Sequence, residues 1–113
     1  MKALLIPVDG PPREASLPGG GGIRFLRSLG ILIGAECAER IQVTSRWEAW
    51  LDEDGMTAGK PVNPGVTRLA QSFGWRFSFH GPVIITGLTM DAAPTALSPG
   101  QVDAILMMTG GGP

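Results

Sequence analysis

Residues 59–64 are Gly59-Lys60-Pro61-Val62-Asn63-Pro64, a stretch in which extended backbone is expected to give way to a helix. Asn63 is a favoured N-cap, because its side-chain oxygen can accept a hydrogen bond from a free N–H of the first helical turn. Pro64 suits the first helical position, since proline has no N–H to leave unpaired there. We therefore predict that a helix begins at Pro64 and that the fold turns around this stretch.

A hairpin and a helix are predicted at the start of the chain. An apolar run of strand length, residues 3–8, is separated from the weakly alternating residues 13–17 by a turn that contains Gly-Pro-Pro. Apolar residues three and four positions apart then predict an amphipathic helix over residues 23–33. Arg24 and Arg27 fall on its outer side, where we expect an interaction surface.

A second hairpin is predicted over residues 39–44 and 46–51. In its second strand Trp47 shares one face with apolar neighbours, whereas Trp50 lies on the other face among polar residues. Trp50 could therefore be a stacking surface for a base and part of the interaction surface. The alternative is that a neighbouring element or a second copy of the chain partly covers it.

The chain after Pro64 is predicted to form two helices and further sheet. An apolar stripe that ends with Phe73 predicts a helix that stops before Gly74. Alternating aromatic and polar side chains indicate a half-buried extended segment at residues 75–80. The unbroken apolar run at residues 83–86 predicts a central strand covered on both faces. Ser98 is expected to cap a last short helix.

These elements predict one α+β domain in the order ββαββαβ(β)α, with two or three helices packed on one face of a mainly antiparallel sheet. A chain of 113 residues is long enough for one core and too short for two. We place the core at residues 2–87, a loop followed by the short helix at 88–109, and a flexible glycine-rich tail at 110–113.

The composition restricts the class of partner. A formal net charge of −1 gives no general attraction to phosphate backbones or anionic lipid, so bulk nucleic-acid binding and membrane binding are disfavoured. Charged residues make up 17%, below the usual ~25%, and a surface poor in charge is compatible with self-association. Cys37 is the single cysteine, so no intramolecular disulfide can form, which favours the cytoplasm. We expect its thiol to be buried.

Four features occur in one order that is known from other proteins: a strand at residues 4–8, a helix at 25–33 followed by a hairpin, an Asp-Gly turn leading to residues 60–64 and their helix, and a strand within Gly-Pro-Val-Ile-Ile-Thr-Gly at 81–87. In these features the chain resembles a family common in actinobacterial phages, plasmids and other mobile elements, known only as a domain of unknown function (number thirty-eight forty-six). The resemblance covers residues 2–87. It implies a mobile-element setting and a compact α+β fold, and it supplies no catalytic residues.

Three patterns that suggest specific chemistry have simpler interpretations. The four glycines at 19–22 do not complete a phosphate-binding motif, and we interpret them as a flexible connection, with an anion loop beside Arg24 and Arg27 as the alternative. The acidic residues at 52–54 lack the spacing of a calcium loop and predict a solvated turn. A catalytic pair of Cys37 and His80 would need the two side chains to meet in the fold, and we do not favour it.

One group of polar residues could bind a small anion. Lys60, Asn63 and Arg68 lie around the start of the predicted helix, whose N-terminal end favours negative charge. Arg76 and His80 would project from the same face of the extended segment at residues 75–80 and could join them. The alternative is that all five are ordinary surface residues.

We expect a non-enzymatic binding protein of a phage or mobile element that acts in the cytoplasm of the host cell. It would interfere with a host process by binding a host protein or by sequestering a small anionic ligand, and would need no cofactor and no metal. This expectation rests on our finding in the sequence no set of nucleophile, base and orienting group. A nucleotide-handling enzyme and a nucleic-acid-binding regulator are the alternatives, and a homo-oligomer is compatible with each.

Overall fold

An antiparallel sheet carries the fold in the computed structural model, which describes residues 1–109. Within that range the sheet has six strands and is accompanied by three helices. The strands are β1 (Lys2–Ile6), β2 (Arg13–Ser16), β3 (Ala38–Gln42), β4 (Trp47–Asp52), β5 (Val83–Leu88) and β6 (Pro94–Thr95). The helices are α1 (Ile23–Ile33), α2 (Pro64–Gln71) and α3 (Pro99–Thr109). The predicted class and element order are confirmed.

Strand β5 lies at the centre of the sheet. The strand order is β2-β1-β5-β4-β3, and β6 also pairs with β5. Ile84 stands opposite Leu5 of β1 on one side and Trp50 of β4 on the other. Residues 83–87 are all buried. The apolar run without alternation is thus the central strand that the sequence predicted.

Helices cover both faces of the sheet, so the expectation that they pack on one face is wrong. Leu4 and Ile6 of β1 point to the same core as α2 and α3. Ala3 and Leu5 point to the opposite core, which is closed by α1. Because successive side chains of a strand point to opposite faces, an apolar run such as β1 needs apolar cover on both sides.

The aromatic segment at residues 75–80 is not a strand. It makes one isolated bridge, between His80 and Val62, and its aromatic side chains differ in burial. Phe79 is fully buried, whereas Phe77 is 41% exposed and stacks on Phe79. The loop expected at residues 88–96 contains a strand, β6, because the chain folds back on the end of β5.

Two further side chains differ from expectation, while both predicted N-caps are confirmed. Phe73 lies beyond the end of α2 and is exposed, and Cys37 is exposed as well. Asn63 caps α2, and Ser98 caps α3 through a hydrogen bond from Gln101 N–H to its hydroxyl oxygen (3.2 Å). The predicted flexible tail lies outside the described residues. None of the three helices of residues 1–109 has the length and apolarity needed to cross a membrane.

Candidate functional site

Asn63 is fully buried and binds three parts of the fold at once. Its amide nitrogen donates to the carbonyl oxygens of Ile6 (2.9 Å) and Gly81 (3.0 Å), and its side-chain oxygen accepts from Val66 N–H (3.2 Å). These bonds connect the end of β1, the start of β5 and the first turn of α2. The side chain is fully buried in these bonds and presents no exposed group to the ligand that the sequence predicted for it.

Lys60 is also occupied within the fold. Its ammonium group donates to the carbonyl oxygens of Ile33 (3.2 Å) and Gly34 (2.8 Å) and lies 2.8 Å from Oδ2 of Asp52. It therefore caps the C-terminal end of α1, where carbonyl groups lack helical partners. The ammonium thus has three partners within the fold, and the anion that the sequence predicted for Lys60 would have to compete with them.

His80 lies next to Lys60 and contacts its backbone. One ring nitrogen, Nδ1, lies 2.9 Å from the carbonyl oxygen of Lys60, and the other, Nε2, lies 3.3 Å from the hydroxyl of Ser78. If Nδ1 donates to the carbonyl, Nε2 is the acceptor for the Ser78 hydroxyl, which is the order of nucleophile, base and orienting group. The fold thus brings a serine hydroxyl and the histidine together, a contact that we had not found in the sequence.

The remaining predicted ligands do not converge around Lys60. Arg68 is exposed and donates to the carbonyl oxygen of Thr109 (3.3 Å), linking α2 to the end of α3. Arg76 is exposed on a segment that is not a strand, so the regular spacing that would have paired it with His80 is lost. Arg24 and Arg27 are exposed on α1, as predicted.

Trp50 is 4% exposed, so its ring is not available as a stacking surface, and the alternative that a neighbouring element covers it is what the structure has. Its ring packs edge-on against Phe25 of α1, at a centroid distance of 5.2 Å, and its indole N–H donates to Thr86 Oγ1 (3.0 Å). The guanidinium of Arg40 lies over the ring at 5.2 Å. Trp50 is therefore a core residue of the face that α1 covers.

Glu48, which precedes Trp50 by two residues on the same face, is a buried carboxylate. Arg40 pairs with one carboxylate oxygen and also donates to Ala92 O (2.8 Å), while Oε2 of Glu48 has no hydrogen-bond partner in the described part of the chain. Arg40 of β3 thereby contacts both Glu48 of β4 and the loop that precedes β6. Across residues 1–109, no three His, Cys, Asp or Glu side chains are grouped so as to hold a metal ion.

An open site with polar side chains lies at the tip of the β3–β4 hairpin and was not predicted. A cavity of about 420 Å³ lies on one side of Arg46 and one of about 480 Å³ on the other. Ser45, Arg46 and Gln101 line both cavities, and we call the combined feature the Arg46 groove. The volume of each cavity lies within the range of about 300–1,000 Å³ that is usual for small-molecule sites.

A tight turn positions Arg46 in this groove. The hydroxyl oxygen of Thr44 accepts from the backbone N–H groups of Arg46 (3.0 Å) and Trp47 (3.1 Å), and the carbonyl of Arg46 accepts from Leu88 N–H (2.8 Å). The sequence had placed Arg46 inside a strand. The signal that could have located it is the Thr-Ser pair before it, which favours a hydroxyl-capped turn.

The chemistry of the Arg46 groove is that of an anion site with an aromatic wall. Neither lining includes an acidic residue, and no ion pair or hydrogen bond to residues 1–109 involves the Arg46 guanidinium. Gln101 uses its oxygen to accept from Ser98 N–H (2.9 Å), which leaves its amide N–H groups as donors. Phe73 is 41% exposed and packs edge-on against Trp47 at 5.6 Å.

A comparison with protein families identifies one match. The family model described as "Domain of unknown function (DUF3846)" matches residues 1–110. The chain belongs to this family. No curated protein and no solved structure matches the chain.

Membership of the family extends further than the sequence resemblance did. The resemblance stopped at residue 87, whereas the match continues through β6 and α3. Helix α3 supplies Gln101 to the Arg46 groove, and its N-cap is Ser98, which lines the groove as well. The groove is therefore built entirely from residues of the family domain.

Proposed function

We propose that the protein is a non-enzymatic binding protein that sequesters a small anion carrying a planar ring. The observation that carries this proposal is the guanidinium of Arg46, which has no partner among residues 1–109 and lies in a groove whose lining includes no acidic residue. Arginine matches carboxylate and phosphate groups with two parallel hydrogen bonds, which makes it the side chain best suited to such an anion. In the mobile-element setting implied by the resemblance, such a protein would lower the free concentration of a host metabolite.

The walls of the groove support a ligand with both a charged and a flat part. The Gln101 amide and the Ser45 hydroxyl offer further hydrogen bonds beside Arg46. Phe73 offers an exposed ring at the end of the cavity that it lines, against which a planar group can stack. Nucleoside monophosphates combine these two parts and are the natural probes.

The experiment is calorimetric titration of the full chain with the four common nucleoside monophosphates and with inorganic phosphate. We expect one nucleotide to bind at one per chain and phosphate to bind more weakly, because it cannot use Phe73. Arg46→Ala should weaken nucleotide binding at least about tenfold, the effect of losing a charged bidentate partner. Phe73→Ala should weaken the binding of the nucleotide and leave the affinity for phosphate unchanged.

Arg13→Ala is the matched control, because Arg13 is an exposed arginine of β2 at the opposite edge of the sheet. Its titration should equal that of the wild type. The proposal fails if no nucleotide binds or if Arg46→Ala binds as well as the wild type. Ligand recovered unchanged after denaturation would support sequestration.

Two other results would favour the alternatives. Turnover of the nucleotide that is lost in Ser78→Ala would indicate an enzyme that uses the Ser78–His80 pair. Binding to duplex DNA that weakens steeply with salt would indicate a nucleic-acid-binding regulator.

A further inference from the structure

The outer face of α1 exposes large apolar side chains. Ile23 is 72% exposed, Leu26 is 47% exposed and Ile31 is 77% exposed, although the opposite side of the same helix is fully buried against the sheet. A groove of about 470 Å³ lies on this face, with Gly30 and Gly34 among its lining residues. An exposed apolar helix face of this kind is typical of an interaction surface.

The charges along this face differ between its two ends. The sequence of α1 contains Arg24 and Arg27 and no acidic residue. Beyond its last turn the groove is lined by Glu36, and Glu53 is held nearby by a hydrogen bond from its N–H to Cys37 O (3.0 Å). Lys60, the cation at this end, is already paired with Asp52.

We propose that two copies of this chain associate through the outer faces of their α1 helices, which run antiparallel about a two-fold axis near Gly30. This arrangement brings the basic half of each helix to the acidic end of the other. It also opposes the two helix dipoles, which is the favourable orientation. The occupant whose charges complement this face is thus a second copy of the chain. In a two-fold dimer the same face meets itself, so its basic half contacts the acidic end of its partner.

The register follows from helix geometry. With the axis near Gly30, Ile31 of each copy lies over the Gly30–Gly34 groove of the other. Arg27 then lies opposite Gly34 of the second copy, at the end of the groove that Glu36 also lines. Gly30 cannot be enlarged to test this contact, because a Cβ there would lie 2.7 Å from the carbonyl oxygen of Ala35 in its own chain.

The experiment is sedimentation equilibrium of the full chain from about 1 to about 500 µM, since a contact of one helix pair is smaller than a standard interface and the association is weak. We expect a concentration-dependent dimer. Ile31→Asp should weaken it at least about tenfold, as the loss of a central apolar contact does. Met107→Asp is the matched control, because Met107 is 81% exposed on α3, and it should leave the dimer intact.

Charge reversal tests the antiparallel register. Arg27→Glu and Glu36→Arg should each weaken the dimer, and the double variant should recover most of the wild-type association. Circular dichroism melts show whether each variant is folded. A chain that is monomeric at every concentration overturns the proposal and leaves the face to a different partner. A dimer that is insensitive to Ile31→Asp, or not recovered by the double reversal, also overturns it.

Discussion

Asn63 shows how one side chain can connect three elements. Beyond its role as an N-cap, it donates hydrogen bonds to the carbonyl groups of Ile6 and Gly81. Both bonds are buried, so water could not take the place of the Asn63 amide. An ordinary cap such as Ser98 satisfies only the first turn of its own helix. The two caps look alike in sequence and differ in what they hold together.

We predict that Asn63→Ala lowers the free energy of unfolding by about 3 kcal/mol, because the helix loses its cap and two buried carbonyls lose their donors. Ser98→Ala, the matched control, should cost about 1 kcal/mol. Urea denaturation of both variants measures the difference. Equal losses would show that the two buried bonds contribute nothing.

At the scale of elements, the Lys60–Asp52 pair joins the end of β4 to the end of α1. The hydrogen bond from Lys60 holds the pKa of the Asp52 carboxyl below its usual value, assisted by the N–H of Asp54 and opposed by partial burial. Because the pKa of Asp52 is lower in the folded state than in the unfolded chain, ionised Asp52 stabilises the fold above its ordinary pKa. This contribution is lost as the pH falls through the folded pKa.

Asp52→Asn should therefore cost about 2 kcal/mol at pH 7, and the difference from the wild type should shrink as the medium becomes strongly acidic. Denaturation at a series of pH values measures this. Glu14→Gln is the control, since Glu14 pairs with Lys2 at 3.6 Å on an exposed part of the sheet and should have little effect. A penalty for Asp52→Asn that is constant down to low pH would contradict the prediction. Lys60→Ala should destabilise the fold as well.

The sequence predicted local features well and long-range contacts poorly. The bounds of α1 and the Asn63 cap depend on neighbouring residues, and both are confirmed. The environment of Trp50 stayed open because alternation separates two faces of a strand without showing which of them is covered. The partners of Lys60 in α1 lie 26 and 27 residues away in sequence, so nothing near Lys60 indicated that its charge is used. The Arg46 groove combines four segments that are separated in sequence, and it was missed for the same reason.

At the scale of the whole molecule, β5 is the strand on which the others depend. It pairs with β1, β4 and β6, and both of its faces are covered by helices. Strands β2 and β3 lie at the edges and have one partner each. Opening of the sheet should therefore begin at these edges and reach β5 last.

We predict that the amides of β5 exchange with solvent only through global unfolding. The amides of β2 should exchange earlier through local opening. Hydrogen exchange followed by NMR measures both, and the exchange free energy of Ile84 should equal the free energy of unfolding obtained with urea. Exchange of Ile84 at the rate of β2 amides would contradict this account of the sheet.

The position of β5 along the chain also has a consequence for synthesis. Its neighbours β1 and β4 are translated long before it, yet they meet only through β5. Until residues 83–88 leave the ribosome, the two early hairpins have unpaired strand edges and the apolar residues of both cores are uncovered. This interval, in which chains on neighbouring ribosomes can pair with one another, is when the protein most needs chaperone protection.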